Sequence, residues 1–274
     1  GSDMYIPIYT TTLAARFTEP LMQPTYLPRP ETITKVIGNT ITMTGIANNN
    51  CTMRLYLNGS VIQTASNATT ITASPTITTA GNQIIVVEAD NGSLVKRDTI
   101  QIYVAGTVNI HSLPAGVRDG INYEANNTAA TLVLYAPSKT RVGVIGDLPG
   151  SNWTEQLAYQ LNKTPDGNYW WIRLTGLTPG TEYSFQYIVD GSLKIAEPYA
   201  EKILDPWNDP FIPTTTYPGL KPYPVNLTSG IVSILETNQP AYNWLYAGYS
   251  RPGKRKLVIY DLLLRDDLAK HDWA

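Results

Sequence analysis

The run from Tyr169 to Gly191, YWWIRLTGLTPGTEYSFQYIVDG, decides the fold. In Trp170-Trp171-Ile172-Arg173-Leu174 the arginine has to reach water, so Trp170, Ile172 and Leu174 share a core face and Trp171 shares the outer face with Arg173. The same period of two predicts Tyr183, Phe185, Tyr187 and Val189 on a core face. Asp190-Gly191 then turns the chain, because glycine accepts a positive φ without a Cβ clash. Two antiparallel strands of a sandwich follow, and not helices.

The flanking sequence repeats this grammar. TLVLYAPSKTRVGVIGDLPGSNW (131–153) and IAEPYAEKILDPWND (195–209) are short apolar alternations bounded by Gly, Pro, Asn and Asp. Upstream, Ile41, Met43 and Gly45 fall on one face, and Met53, Leu55 and Leu57 alternate with Arg54 and Tyr56 before the hairpin signal Asn58-Gly59. A second such signal, Asn91-Gly92, joins Ile84–Val87 to Thr99–Val104. The expected organisation is a lead-in at 1–28, an immunoglobulin-like sandwich at 29–105, a linker at 106–122, a second sandwich at 123–210, an extended proline-rich arm at 211–252 and a final block at 253–274.

The 274 residues carry a net charge of −2 with only 15% charged side chains, and 20 Gly, 20 Pro and 18 Tyr. This is the composition of a turn-rich all-β chain of about two domains. It lacks the basic footprint that grips a phosphate backbone, so no nucleic acid partner is expected. Cys51 is the single cysteine, and His111 and His271 are the only histidines, far apart. Neither an intrachain disulfide nor a metal site is expected, and no cofactor. No apolar run reaches the roughly 18 residues of a transmembrane segment.

Several pieces in one order resemble a known module. They are Leu-Tyr-Ala-Pro (134–137), Gly146-Asp147 before Trp153, Gly-Leu-Thr-Pro-Gly-Thr-Glu-Tyr (176–183), Val-Asp-Gly (189–191) and Glu-Pro-Tyr-Ala (197–200). Together they look like the early-set domain related to family 48 carbohydrate-binding modules, which commonly precedes the barrel of alpha-amylase family enzymes (glycoside hydrolase family 13). Leu257–Asp266, LVIYDLLLRD, resembles the first barrel strand of those enzymes, and its unbroken apolar run suits a strand covered on both faces. The fold class expected is therefore all-β: two consecutive immunoglobulin-like sandwiches, one Ig-like and one early-set, followed by a short segment resembling the first strand of a missing TIM barrel.

The resemblance also implies a site. Glycan-binding members carry a sugar-stacking tryptophan at the place of Trp153, a lysine where this chain has Gln186, and a second tryptophan where it has Leu193. Trp171, assigned to an exposed face, is the other aromatic candidate. Its competing role is to cover an interdomain seam, stacked by Arg173. With Gln186 and Leu193 in place of the usual partners, the α-glucan affinity expected is weak, millimolar at best. Asp266 and Asp267 adjoin but point to opposite faces of a strand, so they do not form the carboxylate pair of a retaining glycosidase.

The function expected is a non-catalytic accessory region of an extracytoplasmic bacterial alpha-amylase family enzyme, its signal removed. Its partners would be a catalytic barrel in cis and a weakly held α-glucan. The alternatives are a free-standing glycan-binding surface protein and a spacer without ligand.

Overall fold

The computed structural model describes residues 12–20, 32–241, 243, 245, 248, 250 and 253. The barrel-strand-like run 257–266, and with it Asp266 and Asp267, lies outside the described residues. The rest is all-β, with two short 3₁₀ turns at Leu157–Tyr159 and Asp209–Phe211.

The first sandwich uses β1 (Ala15–Glu19), β2 (Ile33–Val36), β3 (Met43–Leu57), β4 (Ser60–Ala73), β5 (Gly81–Asp90) and β6 (Val95–Ala105). Hydrogen bonding runs in the order β1-β3-β5-β6-β2, and β4 pairs along β3. The long strand β3 pairs β1 through its first half and β5 through its second, wrapping the sheet around one core of Ile41, Met43, Met53, Leu55, Ile71, Ile85, Val87 and Ile102. Asn58-Gly59 closes a two-residue hairpin, both residues at positive φ, with Leu57 opposite Ser60. The Asn91-Gly92 turn is longer than a two-residue hairpin. Asp90 pairs Val95, and the Asn91 Oδ1 accepts the N–H groups of Ser93 and Leu94, so the asparagine side chain caps a four-residue loop. β1 sits within the segment read as a lead-in, at the sheet edge.

The second sandwich packs two sheets. One has the order β10 (Asn162–Lys163), β11 (Tyr169–Thr175), β8 (Ala129–Tyr135), β7 (Gly120–Tyr123). The other has β9 (Val142–Gly146), β12 (Glu182–Val189), β13 (Leu193–Ile195), β14 (Lys202–Leu204) and β15 (Val232–Glu236), with β12 pairing β9, β13 and β15. Trp170, Ile172, Leu174, Phe185, Tyr187 and Val189 meet in the core, as the alternation requires.

β15 corrects the reading of 211–252 as an extended arm beyond a domain ending at 210. It pairs β12 on one side and β14 on the other, so the sandwich closes only at Glu236. The same segment returns over the outer face of β12. Ser184, Gln186 and Ile188, expected toward water, are buried there.

The linker is not free-standing. His111 N–H donates to Lys163 carbonyl, Lys163 N–H donates to Asn109 carbonyl, and the Gln160 side chain accepts from Gly106 N–H and donates to the Gly106 and Thr107 carbonyls. Thr34 Oγ1 donates to Glu155 Oε2 at 3.0 Å and Asn82 donates to Gln156 at 2.7 Å, so the 149–161 loop ties the two sandwiches together.

Candidate functional site

Trp153 is the first expectation to be corrected. It is 7% exposed, at φ +59°, with its N–H donated to the Gly146 carbonyl at 2.8 Å. Its ring belongs to a cluster with Ile145, Ile188, Leu204, Val232 and Ile234, against which Leu220 and Tyr223 pack. It therefore has no flat face to offer a sugar. The physical cause is the 211–225 segment, whose covering residues lie about seventy positions downstream.

Gly146-Asp147 acts as a latch. A Cβ on Gly146 would collide with the Ser184 carbonyl oxygen, so only glycine lets β9 approach β12 this closely. Asp147 then accepts the Ser184 N–H at 2.6 Å and holds Lys221 Nζ at 3.0 Å, fastening the downstream segment.

Gln186 is spent in the same way. Its amide donates to the carbonyls of Ser229 and Ile231 at 2.9 and 2.8 Å and accepts from Thr228 Oγ1 at 2.6 Å, which satisfies a buried polar group and clamps the chain entering β15. Leu193 is 54% exposed at the start of β13. Trp171 is half-buried on the other sheet, its indole N–H donated to the His111 carbonyl at 3.1 Å. Arg173 does not stack on it but forms a two-pronged pair with Glu124 at 2.6 and 2.8 Å. The four residues read from sequence thus lie on β11, β12, β13 and the loop after β9, and form no common site.

Two surfaces of the second sandwich escaped the sequence reading. One is a groove of about 660 Å³ lined by Pro206, Trp207, Leu220, Tyr223, Val225 and Asn226, among others. Trp207 is 63% exposed there, and Val225 is also largely open. Its loop is braced: Asp205 accepts the backbone N–H of Trp207 and of Asn208, while Asp205 N–H donates to Asp209.

The other is a cleft of about 580 Å³ where the edge strand β7 faces the chain entering β14, lined by Arg118, Asp119, Ile121, Tyr123, Tyr199 and Glu201. Beside it Tyr135 and Tyr169 meet edge to face at 5.1 Å, and the Asp119 carboxylate is the main influence raising the Tyr169 phenol above its ordinary value. Tyr199 leaves the Glu-Pro-Tyr-Ala corner, whose Glu197 is buried. Glu197 accepts Tyr187 Oη at 2.5 Å and the Tyr199 N–H at 3.0 Å, and its own N–H donates to Ser233 Oγ. Among the described residues no cluster of three or more His, Cys, Asp or Glu is placed to hold a metal ion.

No family model matches the chain, and no curated protein does. Solved structures do. The fibronectin(III)-like modules of Clostridium thermocellum CbhA match at 19% identity and a TM-score of 0.25, over 35% of this chain and 98% of that one. The Group B Streptococcus pullulanase SAP matches at 14% identity and a TM-score of 0.25, over 64% of this chain and 23% of that one. The titin z1z2 domains match at 16% identity and a TM-score of 0.26, over 66% of this chain and 90% of that one. The match thus spans about a quarter of the pullulanase, and likenesses of this size carry no functional conclusion.

Proposed function

We propose that this chain is a non-catalytic accessory region of a carbohydrate-active enzyme of the alpha-amylase family, acting in cis on an α-glucan-cleaving barrel outside the cytoplasm. The observation that carries the reading is the groove around Trp207. An exposed tryptophan in one groove with the open Val225, on a loop already braced by Asp205, is an apolar surface of the kind that marks a protein contact. The motif order from Leu134 to Ala200 and the barrel-strand-like run at 257–266 resemble those enzymes, and that resemblance is what suggests the partner.

The burial of Trp153 and the engagement of Gln186 support an accessory scaffold over a glycan module of the usual kind. The test is to express the full reading frame from which the chain comes and assay it on starch and pullulan beside the 274-residue chain. The full product is expected to release reducing sugar and the chain alone none, with Trp207→Ala lowering the thermal midpoint of the full product more than that of the chain. A full product inactive on every α-glucan, or an active chain, overturns the reading.

A further inference from the structure

The cleft at the sandwich edge is left unused by that role. Among the described residues, the side chains of Arg118, Asp119 and Glu201 form no hydrogen bond or ion pair, although all three line it. One cation and two anions left uncommitted around one opening suit a ligand that both donates and accepts hydrogen bonds and carries no net charge. An anion would meet two carboxylates and a cation would meet the guanidinium, whereas a neutral polar ligand can bond to all three without meeting a like charge. A vicinal diol satisfies the set, accepting from Arg118 and donating to Asp119 or Glu201.

The aromatic wall is present too. Tyr199 is 62% exposed and Tyr123 37% exposed. Tyr199 is fixed from beneath. Glu197 holds its N–H, and its Cβ rests on Gly120 at φ +91°, where an added Cβ would lie 2.7 Å from Tyr199 Cβ. A ring placed in advance loses little freedom on binding, and the cleft of about 580 Å³ has the size of a small-ligand site.

We propose that this cleft binds a neutral oligosaccharide, the apolar C–H face of a pyranose on Tyr199 and its hydroxyls on Arg118, Asp119 and Glu201. That the sugar is an α-glucan rests on the accessory reading above. The site is separate from the Trp153, Gln186 and Leu193 positions.

The test is affinity electrophoresis of the full chain through gels holding amylose, mixed-linkage β-glucan, xylan or mannan, with titration of maltoheptaose by NMR. Retardation in amylose is expected, reduced at least tenfold by Tyr199→Ala and by Asp119→Asn, two changes at the surface. Gly120→Ala, which displaces Tyr199, should act in the same direction, while Leu193→Ala should not. No retardation in any gel, retardation undiminished in both Tyr199→Ala and Asp119→Asn, or loss in Leu193→Ala overturns the proposal. Retardation only in a gel other than amylose, abolished by Tyr199→Ala, supports the cleft as a neutral-sugar site and counts against the α-glucan reading alone.

Discussion

Glu88 in the first sandwich and Glu197 in the second are hidden to the same degree, 3% and 2% exposed, yet their carboxyls move in opposite directions. At Glu88 burial alone would raise the pKa, but hydrogen bonds from Arg54, Arg97 and Tyr56 outweigh it and leave it lowered. At Glu197 burial dominates, and the Tyr187 hydroxyl and Tyr199 N–H offset only part of it, so the pKa is raised. Glu155, in the seam between the sandwiches, is intermediate. It has one cation, Arg141 at 3.3 Å, and one hydroxyl, Thr34, and burial still wins. Desolvation acts on all three, and the balance between it and the charged and hydrogen-bonding partners in contact decides the sign.

The strongest way to break the contrast is to delete the acceptor at the site without a cation. Glu197→Ala leaves the hydroxyl of the fully buried Tyr187 and the Tyr199 N–H without their acceptor, and should cost about 3 kcal/mol of stability. Urea denaturation at about pH 4, where the contribution of a carboxyl with a raised folded-state pKa is present, reads this directly. A loss below about 1 kcal/mol would mean that water enters and replaces the carboxylate.

A smaller effect is expected at the charged site. Glu88→Gln keeps the shape and removes the charge that Arg54 and Arg97 share. Those arginine side chains are 31% and 62% exposed, so water takes over much of their solvation and the loss should be about 1 kcal/mol. Raising salt from 0.05 to about 1 M should narrow the gap to the parent chain by screening the pair. A gap that ignores salt would assign the role of Glu88 to packing.

The strands that frame these sites were legible and the covering was not. Period-two alternation placed Trp170, Ile172, Leu174, Phe185 and Tyr187 because each of these strands keeps one face on the core. It failed for Ser184, Gln186 and Ile188 because β12 is also covered from outside, by chain that arrives after Asp205. β15 was invisible for a related reason. VSILE is buried at Val232, Ser233, Ile234 and Leu235 alike, so it shows no alternation, and it follows a proline-rich stretch that reads as irregular. Trp153 was misplaced as a consequence, since its exposure depends on Leu220 and Tyr223. The Arg118–Glu201 cleft joins residues more than eighty positions apart, and no local pattern announces it.

The subtlest expectation turns the two carboxyls into opposed pH reporters. For Glu197 the folded-state pKa lies above the unfolded one, so the folded state binds more protons between the two values. Its contribution is fully present below the ordinary glutamate value of about 4.3 and is lost as pH rises through the folded value. For Glu88 the folded-state pKa is the lower one, so its contribution is present above about 4.3 and is lost as pH falls through the folded value. Glutamine at either place keeps an acceptor oxygen and does not titrate. Measured by urea denaturation from pH 3.5 to 7.5, the stability of the parent chain relative to Glu197→Gln should fall with rising pH, while relative to Glu88→Gln it should rise. Tyr187 and Asp119 are the other titratable groups acting on Glu197; Tyr187 is pushed well above its ordinary value by burial, so its proton stays on across this range. Two difference curves of the same slope would show that the partners around each carboxyl do not set the sign, and that the Arg54–Glu88–Arg97 array stabilises the first sandwich by some means other than holding the carboxylate ionised.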